Sequence, residues 1–89
     1  MRAVITVVGK DTVGILSGVS EVCAKNNVNI IEVSQSILQE LFCMIMLVDM
    51  ENSTADFADF ASSLKEMGKE KNLQIHAMHE DVFNTMHHI

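Results

Sequence analysis

The sequence predicts an α+β fold in which a four-stranded antiparallel sheet carries two helices on one face. Three observations lead there. Four stretches are β-branched or alternate between apolar and polar residues, as strands do. Two longer stretches between them repeat apolar residues at helical spacing. The connections are short and polar, so the order strand–helix–strand–strand–helix–strand, followed by a short tail, leaves no room for a second domain in 89 residues.

The first strand spans residues 3–8, rich in Val and Ile, and stops at Gly9. Residues 9–12 form a turn. From Val13 a helix follows, with Ile15, Leu16, Val19, Val22 and Cys23 at helical spacing. Asp11 or Thr12 is positioned to cap it, and Asn26 and Asn27 end it. Residues 29–38 alternate, with Ile31, Val33 and Ile37 on one face and Glu32, Ser34 and Ser36 on the other. Gln39 and Glu40 make a short break, which predicts a hairpin into a third strand over 41–50. That strand is apolar at both parities and calls for cover on both sides. Ser53 and Asp56 have the spacing of a capping box, with Asp in place of Glu. The second helix then carries Phe57, Phe60, Ala61, Leu64 and Met67 on one stripe and stops near Asn72. Residues 73–77 form the fourth strand. The tail repeats apolar residues at Val82, Phe83, Met86 and Ile89.

A β-α-β unit used twice gives the ferredoxin-like arrangement, with right-handed crossovers and strand order 2-3-1-4. Both helices then cover one face of the sheet. The opposite face is expected to carry Val4, Thr6, Val8, Met44, Met46, Val48 and Met78, edged by Glu32, Ser34, Ser36, Gln74 and His76. Such a patch is too apolar to face water. The tail, a second copy of the chain, or both must cover it, and the tail can pack on its own subunit or cross to a partner.

Composition excludes several classes of function. Hydrophobic residues make up 48% and charged residues 20%, a globular composition. Twelve acidic against six basic side chains give a net charge of -6, which repels nucleic-acid backbones and anionic lipid. An RNA-binding sheet of this topology needs aromatic platforms on strands 1 and 3. Strand 1 has no ring, strand 3 has only Phe42, and Trp and Tyr are absent. The apolar run 41–48 is too short to span a bilayer. Cys23 and Cys43 lie among apolar neighbours and form no CxxC, which points to two buried thiols and a reducing, cytoplasmic location.

Candidate chemistry concentrates at residues 9–16, GKDTVGIL, where the first strand turns into the first helix. A helix's first turn offers free N–H groups and the positive end of its dipole, where a carboxylate can bind. Gly14 leaves the backbone approachable, and Lys10 can add a charge. The same residues also have a purely architectural reading, to which spacing alone gives more weight: Gly9 makes a tight turn, Asp11 caps the helix, and Gly14 relieves packing against strand 2. Among the histidines, His76 and His79 differ in parity and face opposite ways on a strand, while His87 and His88 diverge by about 100° on a helix. That is poor geometry for one metal ion. No nucleophile, acid and base converge, so neither an enzyme nor a cofactor is expected.

Taken together, Asp11 with Gly14 in GKDTVGIL, then residues 29–35, NIIEVSQ, then an apolar third strand, resemble the ACT domain family, whose members are small βαββαβ regulatory modules that commonly bind amino acids. The resemblance covers residues 1–80. The ending VFNTMHHI is similar to that of small stand-alone ACT proteins, which in turn are similar to the ACT halves of the glycine-cleavage regulator. Val13 stands where many ACT loops carry a proline.

The resemblance implies a homodimer or higher homo-oligomer with a small-molecule site at the subunit interface. Lys10, Asp11, Gly14 and Ile15 would form one wall, and Asn29 and Gln35 complete the candidate set. Geometry agrees. Strands 1 and 2 are parallel, so Asn29 begins far from its own Gly9 loop, whereas pairing two edge strands about a two-fold axis brings the partner subunit's Asn29 toward it. The expectation is therefore an ACT domain over 1–80 with an amphipathic tail over 81–89, sensing an amino acid or similar carboxylate and acting on a regulated protein partner. The alternative is a ligand-free adaptor dimer that binds another protein.

Overall fold

The computed structural model describes residues 1–10 and 14–86. The elements are β1 (Arg2–Gly9), α1 (Ile15–Lys25), β2 (Asn29–Leu38), β3 (Leu41–Asp49), α2 (Phe57–Lys71), β4 (Gln74–His79) and α3 (Glu80–Met86). The strands form one sheet in the order β2-β3-β1-β4, and every neighbouring pair is antiparallel. β2 and β4 are the edges, as the sequence predicts.

Ala3, Ile5 and Val7 of β1 enter the core against the helices. Directly opposed residues of an antiparallel pair share a face. Their partners Val48, Met46 and Met44 on β3, and Ala77 and Ile75 on β4, therefore lie on that face too. Ile15, Val19 and Cys23 of α1 and Phe60 and Leu64 of α2 close the core from above.

This corrects the expectation for β3. Met44, Met46 and Val48 belong to the helix-covered core, and the uncovered side of β3 carries Cys43, Ile45 and Leu47 opposite Val8, Thr6 and Val4. The cause is register. The two-residue turn at Gln39 and Glu40, with Gln39 at φ 58, sets Leu38 opposite Leu41 and pairs even positions of β2 with odd positions of β3. A register shift between Ile30 and Glu32 changes the parity of β2 as well. Ile30 and Val33 pack on the core, and Ile31 is left 46% exposed rather than aligned with Val33.

The helix starts also differ from their predicted positions. Asp56, not Ser53, caps α2: its carboxylate accepts the Asp59 backbone N–H at 2.9 Å. Ser53 instead makes a local turn, its Oγ accepting the Ala55 N–H at 3.2 Å. For α1 the capping residue is Gly14, and the predicted caps Asp11 and Thr12 lie outside the described residues.

α3 lies against β1 and β4 of its own chain. Val4 points away from the two long helices yet is 3% exposed. The Arg2 guanidinium meets Glu80 at 2.8 Å at the start of α3, a half-exposed pair worth under about 1 kcal/mol. Ile89, at the end of the tail's predicted stripe, lies outside the described residues.

Two outcomes follow. Asp56→Ala removes one cap hydrogen bond and should lower stability by about 1 kcal/mol, read as a lower urea midpoint at unchanged slope. A chain ending at residue 79 should bind a hydrophobic dye strongly through Val4, Val8 and Met78. Unchanged dye binding would show that α3 covers nothing of consequence.

Candidate functional site

The connection from β1 to α1 is built on two glycines with different duties. A Cβ on Gly9 would run into the end of the Leu73 side chain, so a larger residue there would have to turn Leu73 aside. Gly14 has φ 75 and ψ 4, in the left-handed region, and none of the described residues lies within 4 Å of where its Cβ would be. Packing against β2 is therefore not what Gly14 relieves. The backbone turn needs it. Its carbonyl accepts the Gly18 N–H at 2.9 Å, the first bond of α1. Among the described residues no side chain caps α1 and no acidic residue lies in its first turn, so none of them supplies a counter-charge to the positive end of its dipole.

The other candidate residues divide between the two ends of the sheet. Lys10 is exposed beside Gly9. Ile15 is 2% exposed and is a core side chain under the first turn of α1. Gln35 is exposed near the same end, paired with Met44, which in turn faces Val7. Asn29 pairs with Asp49, which faces Arg2, so it stands at the far end of the sheet from Gly9. There it lines a cavity of about 480 Å³ with Asn27, Asp49 and Asn52. Asp11 lies outside the described residues. Within one chain, Lys10, Gly14 and Gln35 thus share an end and Asn29 does not.

A second cavity, of about 450 Å³, opens beside Gly9 and is lined by Val8, Lys10, Leu41, Lys71, Asn72 and Gln74. Lys71, Asn72 and Gln74 are absent from the sequence-derived set. The available signal was the strand order: with β4 antiparallel to β1, the start of β4 and the end of α2 must fall beside Gly9.

The remaining chemistry-bearing residues are dispersed. His76 pairs with Thr6 on the face away from the long helices. His79 pairs with Ala3 on the helix face, its ring 4.7 Å from that of Phe57. His87 and His88 lie outside the described residues. Both cysteines are free, but only Cys23 is buried; burial pushes its thiol up to about 11, which suppresses thiolate chemistry. Cys43 is half-buried on the opposite side of the sheet. No helix among the described residues is long and apolar enough to cross a membrane.

Comparison with known proteins places these features. The ACT domain family model matches residues 2–78. A UPF0237 protein of Clostridium perfringens is 52% identical over 89 residues, covering 100% of both chains. Among solved structures, an ACT domain protein from Streptococcus pneumoniae superposes with a TM-score of 0.82 at 36% identity, covering 93% of each chain. A putative glycine cleavage system transcriptional repressor superposes with a TM-score of 0.73 at 25% identity, covering 85% of this chain and 43% of that one. With the βαββαβ order, the strand order and the glycine loop already in hand, the chain belongs to the ACT domain family of regulatory ligand-binding modules, among the small UPF0237 proteins.

Proposed function

We propose that this chain senses an amino acid, or a similarly small carboxylate, at an interface between two copies of itself, and regulates a protein partner rather than catalysing a reaction. The observation that carries the reading is the first turn of α1 behind Gly14, which no side chain among the described residues caps. It is a positive helix terminus, with no described residue within 4 Å of a Cβ at Gly14, in a chain of net charge -6.

Pairing is supported by the edge of the sheet. β2 is ten residues long and its outer side has no strand partner. Ile37 is 68% and Leu38 70% exposed there. A long apolar edge is a template for another strand. Two β2 strands paired antiparallel about a two-fold axis carry Asn29 of the partner subunit toward the Gly14 end of the first, so one site draws on residues that a single chain keeps apart. A regulatory role accords with the family and with the repressor among the similar structures. Two free thiols suit a reducing cytoplasm.

Calorimetry against the twenty amino acids at millimolar concentration, alongside sedimentation, tests the reading. The expected result is a dimer that releases or absorbs heat with one or a few of them. Gly14→Ala should weaken that binding and cost about 1 kcal/mol of stability, because alanine resists φ 75. A dimer that binds none of the twenty would favour the ligand-free adaptor. A monomer at micromolar concentration would remove the interface.

A further inference from the structure

Within one chain Gly14 and Gln35 stand at one end of the sheet and Asn29 at the other. A lone chain therefore holds only part of the site at each end. A site divided in this way ties its ligand to the second copy, because whatever needs both chains binds the pair and not the single chain.

The strand edge that would join two copies is narrow. β2 has ten residues. At about 3.3 Å per residue and a sheet thickness of about 10 Å, its edge offers roughly 330 Å² per copy. A stable interface takes about 800 Å² per partner. Backbone pairing along β2 therefore gives a weak dimer on its own. A ligand gripped by both chains adds contacts that neither chain makes alone. If it binds the pair more tightly than the single chain, it must tighten the pair by the same factor. With two equivalent sites, an amino acid at about ten times its dissociation constant tightens association about hundredfold.

β2 and β4 are the edges of the sheet, and β2 is the longer, with ten residues against six. Ile37 and Leu38 lie exposed on it in the single chain. We propose, resting on the interface site above, that the amino acid acts as a clamp: bound, it holds a second copy of this chain on β2, and its loss frees that edge. The regulated event is the closing and opening of β2.

Sedimentation of the full chain over a dilution series tests the proposal, with and without the twenty amino acids together at millimolar concentration. The expected result is a dimer that dissociates on dilution, with a midpoint about tenfold lower or more when the amino acids are present. A second measurement asks whether the site is shared. Gly14→Ala and Asn29→Ala each damage both sites of their own homodimers, so each should bind poorly in calorimetry. Mixed, half of the dimers pair one variant with the other and carry one undamaged site, so the blend should regain about a quarter of the parent's binding capacity. A midpoint that the amino acids leave unchanged overturns the proposal, as does a blend that regains nothing, even where heat shows that the chain binds an amino acid. Absence of both heat and dimer removes the interface reading itself, and the clamp with it.

Discussion

β1 is hydrogen-bonded on both sides, so its alternation decides which side of every other strand meets the helices. Ala3, Ile5 and Val7 fall beneath α1 and α2, and the ladder then commits Met44, Met46 and Val48 to the same side. A slip of one residue would exchange that set for Cys43, Ile45 and Leu47. Both sets are apolar, so the register is enforced by β1 and by the turn at Gln39 rather than by β3 itself. Each apolar side chain withdrawn from water contributes roughly 1.5–3 kcal/mol, and in so small a domain a few such choices decide whether it folds.

The same constraint makes the second face of the sheet a problem. β1 and β3 are apolar on both sides, and two helices can cover only one. α3 roofs β1 and β4, which is why Val4 is buried although no long helix touches that side. α3 does not reach β2 and the adjoining part of β3. Ile45 remains 44% exposed there, near Leu38 and Leu41 of the hairpin. The half of this face that no described residue covers and the edge of β2 that no described strand pairs are contiguous, so the surface most in need of cover is also the surface most able to form new backbone hydrogen bonds.

What the sequence made legible follows from where its patterns are unambiguous. β1, α1 and α2 each have a period with one solution, β2 is legible as a strand, and with short connections these fix element order and strand order. Parity in β3 was not legible from composition, because either choice buries apolar residues. The two-residue length of the Gln39–Glu40 turn held the answer, since it forces Leu38 opposite Leu41. The register shift at Ile31 leaves no mark in a run of Asn, Ile, Ile and Glu. Ser53 and Asp56 are both good capping residues, and the choice between them depends on where the Ser53 hydroxyl finds a nearer partner in Ala55. In the candidate site, Gly14 was legible as a special position but not for its reason, which is a backbone angle rather than a neighbour. Lys71 was hidden because its relation to Gly9 exists only once β4 lies beside β1.

The two ends of the sheet differ in chemistry, and this bears on how copies would meet. The Gly9 end carries Lys10, Lys71 and the positive terminus of α1. The opposite end carries Asn27, Asn29, Asp49 and Asn52, together with Arg2 and, in the last turn of α1, Lys25. A parallel pairing of two β2 strands would set like ends together, cation beside cation. An antiparallel pairing about a two-fold axis sets the Asn29 end of one copy beside the Gly14 end of the other, twice. Hydrogen bonding along β2 is indifferent between these arrangements to first order, and the proposed interface site requires the antiparallel one, because only it would bring Asn29 of the partner subunit to the Gly14 end.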